Sequence, residues 1–125
     1  MKSLVFIFSL AFLGIGCSKG SGEKDTVFPV ITIDNPVNNQ VFNAGDNIPI
    51  TGTITDDKFI AEVHIHVSNL NTGVLLMDVH LFPNGSSVSF NQFIVASAGF
   101  NYKIQVIAKD RAVNQSLLSR EVSCN

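Results

Sequence analysis

From Phe28 onward apolar and polar residues alternate with a period of two. Ile48, Ile50 and Ile54 interleave with Thr51, Thr53 and Thr55. Val63, Ile65 and Val67 interleave with His64 and His66. Leu75, Met77, Val79 and Leu81 interleave with Leu76, Asp78 and His80. Tyr102, Ile104, Val106 and Ala108 interleave with Lys103, Gln105 and Lys109. Successive side chains on a strand point to opposite faces, so this pattern gives each strand one dry face and one wet face. No segment keeps a helical period over three turns. Turn residues punctuate the runs at Asn35-Pro36, Asn43 to Asp46, Asp56-Asp57, Asn71-Thr72-Gly73, Pro83-Asn84-Gly85, Ala98-Gly99 and Asp110 to Asn114. The pattern predicts seven or eight strands, over 28–34, 40–42, 47–55, 60–69, 74–82, 86–95, 101–109 and 116–123. Short strands with a turn every ten residues or so indicate an all-β antiparallel sandwich or barrel.

The first residues follow another pattern. Lys2 precedes an apolar run from Leu4 to Ile15, and Cys17 follows it. A run of about a dozen residues is short of the roughly 20 that a membrane-spanning helix needs. It fits a cleaved signal peptide. The first eighteen residues resemble a bacterial lipoprotein signal, in which the cysteine is diacylated and becomes the new N-terminus. Leu is usual three positions before that cysteine; here Gly14 stands there and Leu13 is one step further back. The alternative is an ordinary secretory peptide cut nearby, with Cys17 left as a plain thiol. Ser18 to Thr26 is polar, contains Gly20 and Gly22, and reads as a flexible tether. The expected organisation is a signal peptide over 1–16, a lipidated Cys17 with tether over 17–26, and one β domain over 27–125. The membrane is then a partner through the N-terminal lipid. The expected location is the bacterial cell envelope, at the surface or periplasmic face of the outer membrane.

Composition narrows the partners. Eight Lys and Arg against ten Asp and Glu give a formal net charge of −2, and no basic run exists. Nucleic acid is therefore not an expected partner. The two cysteines have no metal-knuckle or redox spacing. With Cys17 acylated, Cys124 is a lone thiol; otherwise a bridge between them would tie the two ends together.

Two stretches carry a family resemblance. Ala44 to Asp57 (AGDNIPITGTITDD) resembles the second strand and following loop of bacterial immunoglobulin-like domains. Gly99 to Asn114 (GFNYKIQVIAKDRAVN) is similar to their sixth strand and exit loop. Val113 stands where that family usually has Gly, and one extra residue separates Gly99 from Tyr102. The resemblance covers about residues 26–124. It implies an antiparallel immunoglobulin-like β-sandwich, of cadherin or fibronectin type III kind, often a binding or spacer module, and names no activity.

Two constellations could carry chemistry. All three histidines fall within residues 64–80. The parity of the buried set puts Glu62, His64, His66, Asp78 and His80 on one solvent face. A three-residue turn at Asn71-Thr72-Gly73 sets His64 opposite His80 and His66 opposite Asp78. Directly paired Cβ atoms lie about 4.5–5.5 Å apart, so these groups could share Zn²⁺, Cu²⁺ or Ni²⁺. The plainer reading is that they solvate the outer face of a strand. The sandwich topology also gathers Asp25, Asp56, Asp57, Asp110 and Asn114 at one end. Oxygen-only groups suit Ca²⁺, whereas Asp and Asn also populate loops because they hydrogen-bond their own backbone.

Catalytic signatures are missing: there is no phosphate loop, nucleophile elbow or HExxH motif. Phe82, Phe90, Phe93 and Phe100 read as core. The sequence thus points to a non-enzymatic module for a protein or glycan partner, with no required cofactor. The alternative is a divalent-metal-binding lipoprotein using the histidine hairpin.

Overall fold

The computed structural model describes residues 23–125; the expected signal peptide, Cys17 and the first part of the expected tether lie outside them. Seven strands follow in chain order: β1 (Val30–Asn35), β2 (Val41–Phe42), β3 (Asn47–Asn69), β4 (Leu75–Leu81), β5 (Gly85–Val95), β6 (Asn101–Asp110) and β7 (Gln115–Cys124). The described residues form no helix.

The long strand β3 organises the molecule. Its first half pairs antiparallel with β1 and β5, through Thr32↔Thr53 and Ser89↔Thr53. Its second half pairs antiparallel with β4 and β6, through His64↔His80 and His64↔Ile107. β6 continues the second layer into β7, and β2 closes its edge. The segments expected as separate strands over 47–55 and 60–69 are therefore one continuous element that bends over from one layer to the other, with a break in register between Thr55 and Ile60. Between them the Asp56 carboxylate accepts the amides of Lys58 and Phe59, which satisfies the backbone where the strand passes from one layer to the other. The β2–β7 pair is parallel, a departure from the fully antiparallel expectation.

The period-two pattern becomes the core. Ile48, Ile50 and Ile54 from the first half of β3 are fully buried. So are Ile60, Val63, Ile65 and Val67 from its second half, and Ile104, Val106 and Ala108 of β6. Each such Ile or Val side chain contributes on the order of 1.5–3 kcal/mol relative to exposure. Tyr102 is 1% exposed, and its hydroxyl accepts the Ser97 amide across the corner between β5 and β6. Gly52 is required by close approach: a Cβ there would meet the Thr32 carbonyl oxygen at 2.0 Å and the Phe90 ring at 2.6 Å.

Not every apolar residue is inside. Phe90 is buried, but Phe93 is 60% exposed and Phe82 is 72% exposed. Phe90 and Phe93 are three apart on β5, so the alternation that buries one turns the other outward. Leu75 is also exposed, contrary to its place in the expected buried set.

The reason lies in the β3–β4 hairpin. The Asn69 amide donates to the Val74 carbonyl, which leaves a four-residue loop, Leu70 to Gly73, instead of three. Gly73 takes the left-handed conformation that closes it, with φ of 75°. A bulge then follows: Ser68 pairs with Leu75, but Val67 pairs with Met77. Leu76 is the extra residue, and it restores the register that a three-residue turn would have given. Leu75 lies beyond the bulge, with its parity reversed.

Candidate functional site

The second half of β3 and the facing strand β4 carry the histidines. His64 pairs with His80 and His66 with Asp78, as the hydrophobic parity requires. The inward neighbours Val63, Ile65 and Val67 are fully buried and anchor the strand beneath. On the outer face one ligating atom from each of His64, His66, Asp78 and His80 lies within 4.8 Å of the others. Asp78 Oδ1 sits 2.8 Å from His80 Nε2 and 3.1 Å from His66 Nε2. The rings of His64 and His80 are 4.0 Å apart between centroids. His64 and His66 are about a quarter exposed, Asp78 and His80 about two-fifths.

Glu62 does not join that group, contrary to its place among the expected ligands. Its carboxylate accepts from His64 Nε2 through one oxygen and pairs with Lys109 Nζ at 3.3 Å through the other. These contacts, His64 first and then Lys109, hold the carboxyl below the usual glutamate range. Lys109 is the residue that sequence reasoning passed over. The alternation along β6 already placed it outward, and its pairing with Glu62 puts the two side by side. A cavity of about 210 Å³, lined by Glu62, His64, Ile107, Lys109 and Gln115, opens beside this pair.

At one end of the sandwich, carboxylate oxygens of Asp25, Asp56 and Asp110 lie within 4.8 Å of one another. Asp110 is only 2% exposed, and its carboxylate accepts both the backbone amide and the side-chain amide of Asn114. Asp56 Oδ1 is buried with no donor. Asp57 is exposed and not in the group. Asn114 does not turn an oxygen to the cluster as a ligand would. Its Nδ2 donates to the carbonyls of Asp25 and Val27 as well as to Asp110, so it clamps the incoming chain. The Ser116 hydroxyl donates to the Pro29 carbonyl and extends the clamp. Phe59 lies beneath the Arg111 guanidinium, 3.3 Å from ring centroid to Cζ. Cys124 is buried as a free thiol.

Comparison with known proteins places this architecture. Fibronectin(III)-like modules of Clostridium thermocellum CbhA align over 76% of this chain and 96% of theirs, with 21% identity and a TM-score of 0.48. A superoxide reductase (neelaredoxin) from Ignicoccus hospitalis aligns over 78% of this chain and 80% of its own, with 12% identity and a TM-score of 0.51. At 12% identity the likeness to the superoxide reductase concerns the fold alone. No curated protein matches the sequence. The bacterial Ig domain family matches residues 29–106, more than half of the chain. With its strand order and its two-layer core, this chain belongs to the bacterial Ig domain family.

Proposed function

We propose that this chain is a lipid-tethered, non-enzymatic Ig-like module of the bacterial envelope that holds a protein or glycan partner. The observation that carries the reading is the fixed exit of the leash. Asn114 and Ser116 bind the carbonyls of Asp25, Val27 and Pro29, so the incoming chain is pinned at the Asp110 end of the sandwich. β3 begins and finishes at the other end, where Gly45 bonds Ala96 and Leu70 bonds Asn101. An anchor at Cys17 stands eight residues before the pinned Asp25, a reach of at most about 29 Å. The loops at Asn43–Asp46, Leu70–Gly73 and Ala96–Phe100 then face away from the membrane. Leu70 there and the adjoining Val74 are exposed apolar residues, and exposed apolar side chains at loops suit contact with a partner.

Two measurements test the reading. Metabolic labelling with a palmitate analogue should mark the wild-type chain and not Cys17→Ala, and only the wild type should fractionate with membranes. A photo-crosslinking residue at position 70 should trap a discrete partner in cells, and one at position 111 should not. Membrane retention of Cys17→Ala without label, or equal trapping from both ends, would overturn it.

A further inference from the structure

Beyond the tethered-module reading, we propose that the outer face of β3 and β4 binds one divalent transition ion, of the Zn²⁺, Cu²⁺ or Ni²⁺ class, through His64, His66, Asp78 and His80. Three imidazoles and one carboxylate form a nitrogen-rich donor set, which suits these ions and not the all-oxygen preference of Ca²⁺ or Mg²⁺. The geometry is close to what such an ion requires. Four donors about 2.0–2.1 Å from a tetrahedral ion lie about 3.3 Å from one another. Asp78 Oδ1 already stands 2.8 Å and 3.1 Å from two imidazole nitrogens. All four donors fall within 4.8 Å, so side-chain rotation of an ångström or so closes the set.

The scaffold beneath is rigid. Val63, Ile65 and Val67 are fully buried between the donors' positions, and β3 is paired on both sides at His64 and His66. Of the two strands that carry the donors, only β4, which supplies Asp78 and His80, is an edge strand. Two donors are thus fixed in the centre of the layer and two come from its rim, which leaves a route of entry from solvent.

Glu62 completes the arrangement as a positioning residue. It accepts from His64 Nε2, so a neutral His64 carries its lone pair on Nδ1. Lys109 holds the second oxygen of Glu62 and keeps that carboxylate turned toward the ring and away from the ion. A carboxylate behind a histidine ligand fixes tautomer and ring orientation. With four protein ligands the site is closed in the manner of structural or storage sites, and it offers no vacant position for catalysis.

The test uses the full chain in detergent. Zn²⁺ is titrated calorimetrically and Co²⁺ is added as a spectroscopic probe. One Zn²⁺ should bind per chain, and Co²⁺ should give the intense visible bands of a four-coordinate ion. His64→Ala with His80→Ala should lose both signals while its metal-free melting temperature stays that of a folded domain. Glu62→Ala should keep the stoichiometry but weaken Zn²⁺ about 10–100-fold. Cys17→Ala and Cys124→Ser should bind like the wild type, which separates this site from the tether and from the free thiol. Non-stoichiometric Zn²⁺ binding, binding that survives the double variant, or the faint six-coordinate spectrum of Co²⁺ would overturn the proposal. Should the double variant fail to fold, Asp78→Asn on the exposed edge strand provides the same comparison.

Discussion

Replacing Val113 by glycine should stabilise the protein. Val113 closes the turn between β6 and β7 with φ of 70°, in the left-handed region. A Cβ in that region crowds the following carbonyl at a cost of roughly 1–2 kcal/mol, and a β-branched residue is a genuine outlier there. Nothing offsets the strain through burial, because Val113 is 72% exposed. The turn itself is well held: Asp110 and Asn114 bond each other's backbone, and the Val113 amide donates to the Asp110 carbonyl at 3.2 Å. Glycine adopts the same geometry without strain but loses more conformational freedom on folding, about 0.5–1 kcal/mol. The difference is a gain of about 0.5–1 kcal/mol. For a domain near 100 residues each kcal/mol moves the midpoint by about 4–8 °C, so Val113→Gly should melt about 2–8 °C higher. Val113→Ala serves as control. It keeps a Cβ in the left-handed region and should recover little of the gain. Thermal unfolding followed by far-UV circular dichroism reads all three proteins. A Val113→Gly midpoint at or below that of Val113→Ala would refute the reasoning.

Three further outcomes follow from the same structure. Gly52→Ala should destabilise by about 1–3 kcal/mol or more in urea unfolding, because its methyl group cannot fit between the Thr32 carbonyl and the Phe90 ring unless β1 moves; wild-type stability would contradict it. Tyr102→Phe removes the acceptor of the Ser97 amide and should cost about 1 kcal/mol by the same assay, with the fold retained. In the metal-free protein the Glu62 carboxyl should titrate below an ordinary glutamate, and His64→Ala should raise it more than Lys109→Ala does. The sign follows from linkage: a lowered folded pKa gives stability that is present above the unfolded value and lost as pH falls through the folded one. Side-chain carbon chemical shifts followed with pH measure this, and an unshifted Glu62 midpoint would exclude the contacts.

Much of this fold is legible in the sequence because the core is built from strict alternation. Ile48 to Ile54, Val63 to Val67 and Ile104 to Ala108 each bury one parity, and the expected strands lie close to the observed ones. What the pattern hides is local. Periodicity does not reveal that the Asp56 carboxylate accepts the amides of Lys58 and Phe59 where β3 bends over from one layer to the other. It also misplaces Leu75, because a four-residue loop and a bulge at Leu76 are two changes that cancel further along the strand. Residue type alone puts Phe93 and Phe82 in the core; strand parity turns Phe93 outward, and Phe82 lies just past the end of β4.

The same cancellation explains why the histidine face was legible at all. A loop one residue longer, without the bulge, would slide β4 by one and turn Asp78 and His80 toward the core. The bulge returns them to the outer face opposite His66 and His64. Sequence parity could place those four residues together because the buried residues on both strands enforce it, whatever the loop does. The roles of Glu62 and Asn114 escaped the same logic. Each depends on which atom of a side chain meets which neighbour: Glu62 turns to His64 and Lys109, and Asn114 turns its amide nitrogen to the incoming chain. Residue type and face were readable for both, but the direction of a proton donor was not. That distinction separates the four donors of the proposed ion from the carboxylate that orients one of them, and it makes the contrast between Glu62→Ala and His64→Ala with His80→Ala the informative one.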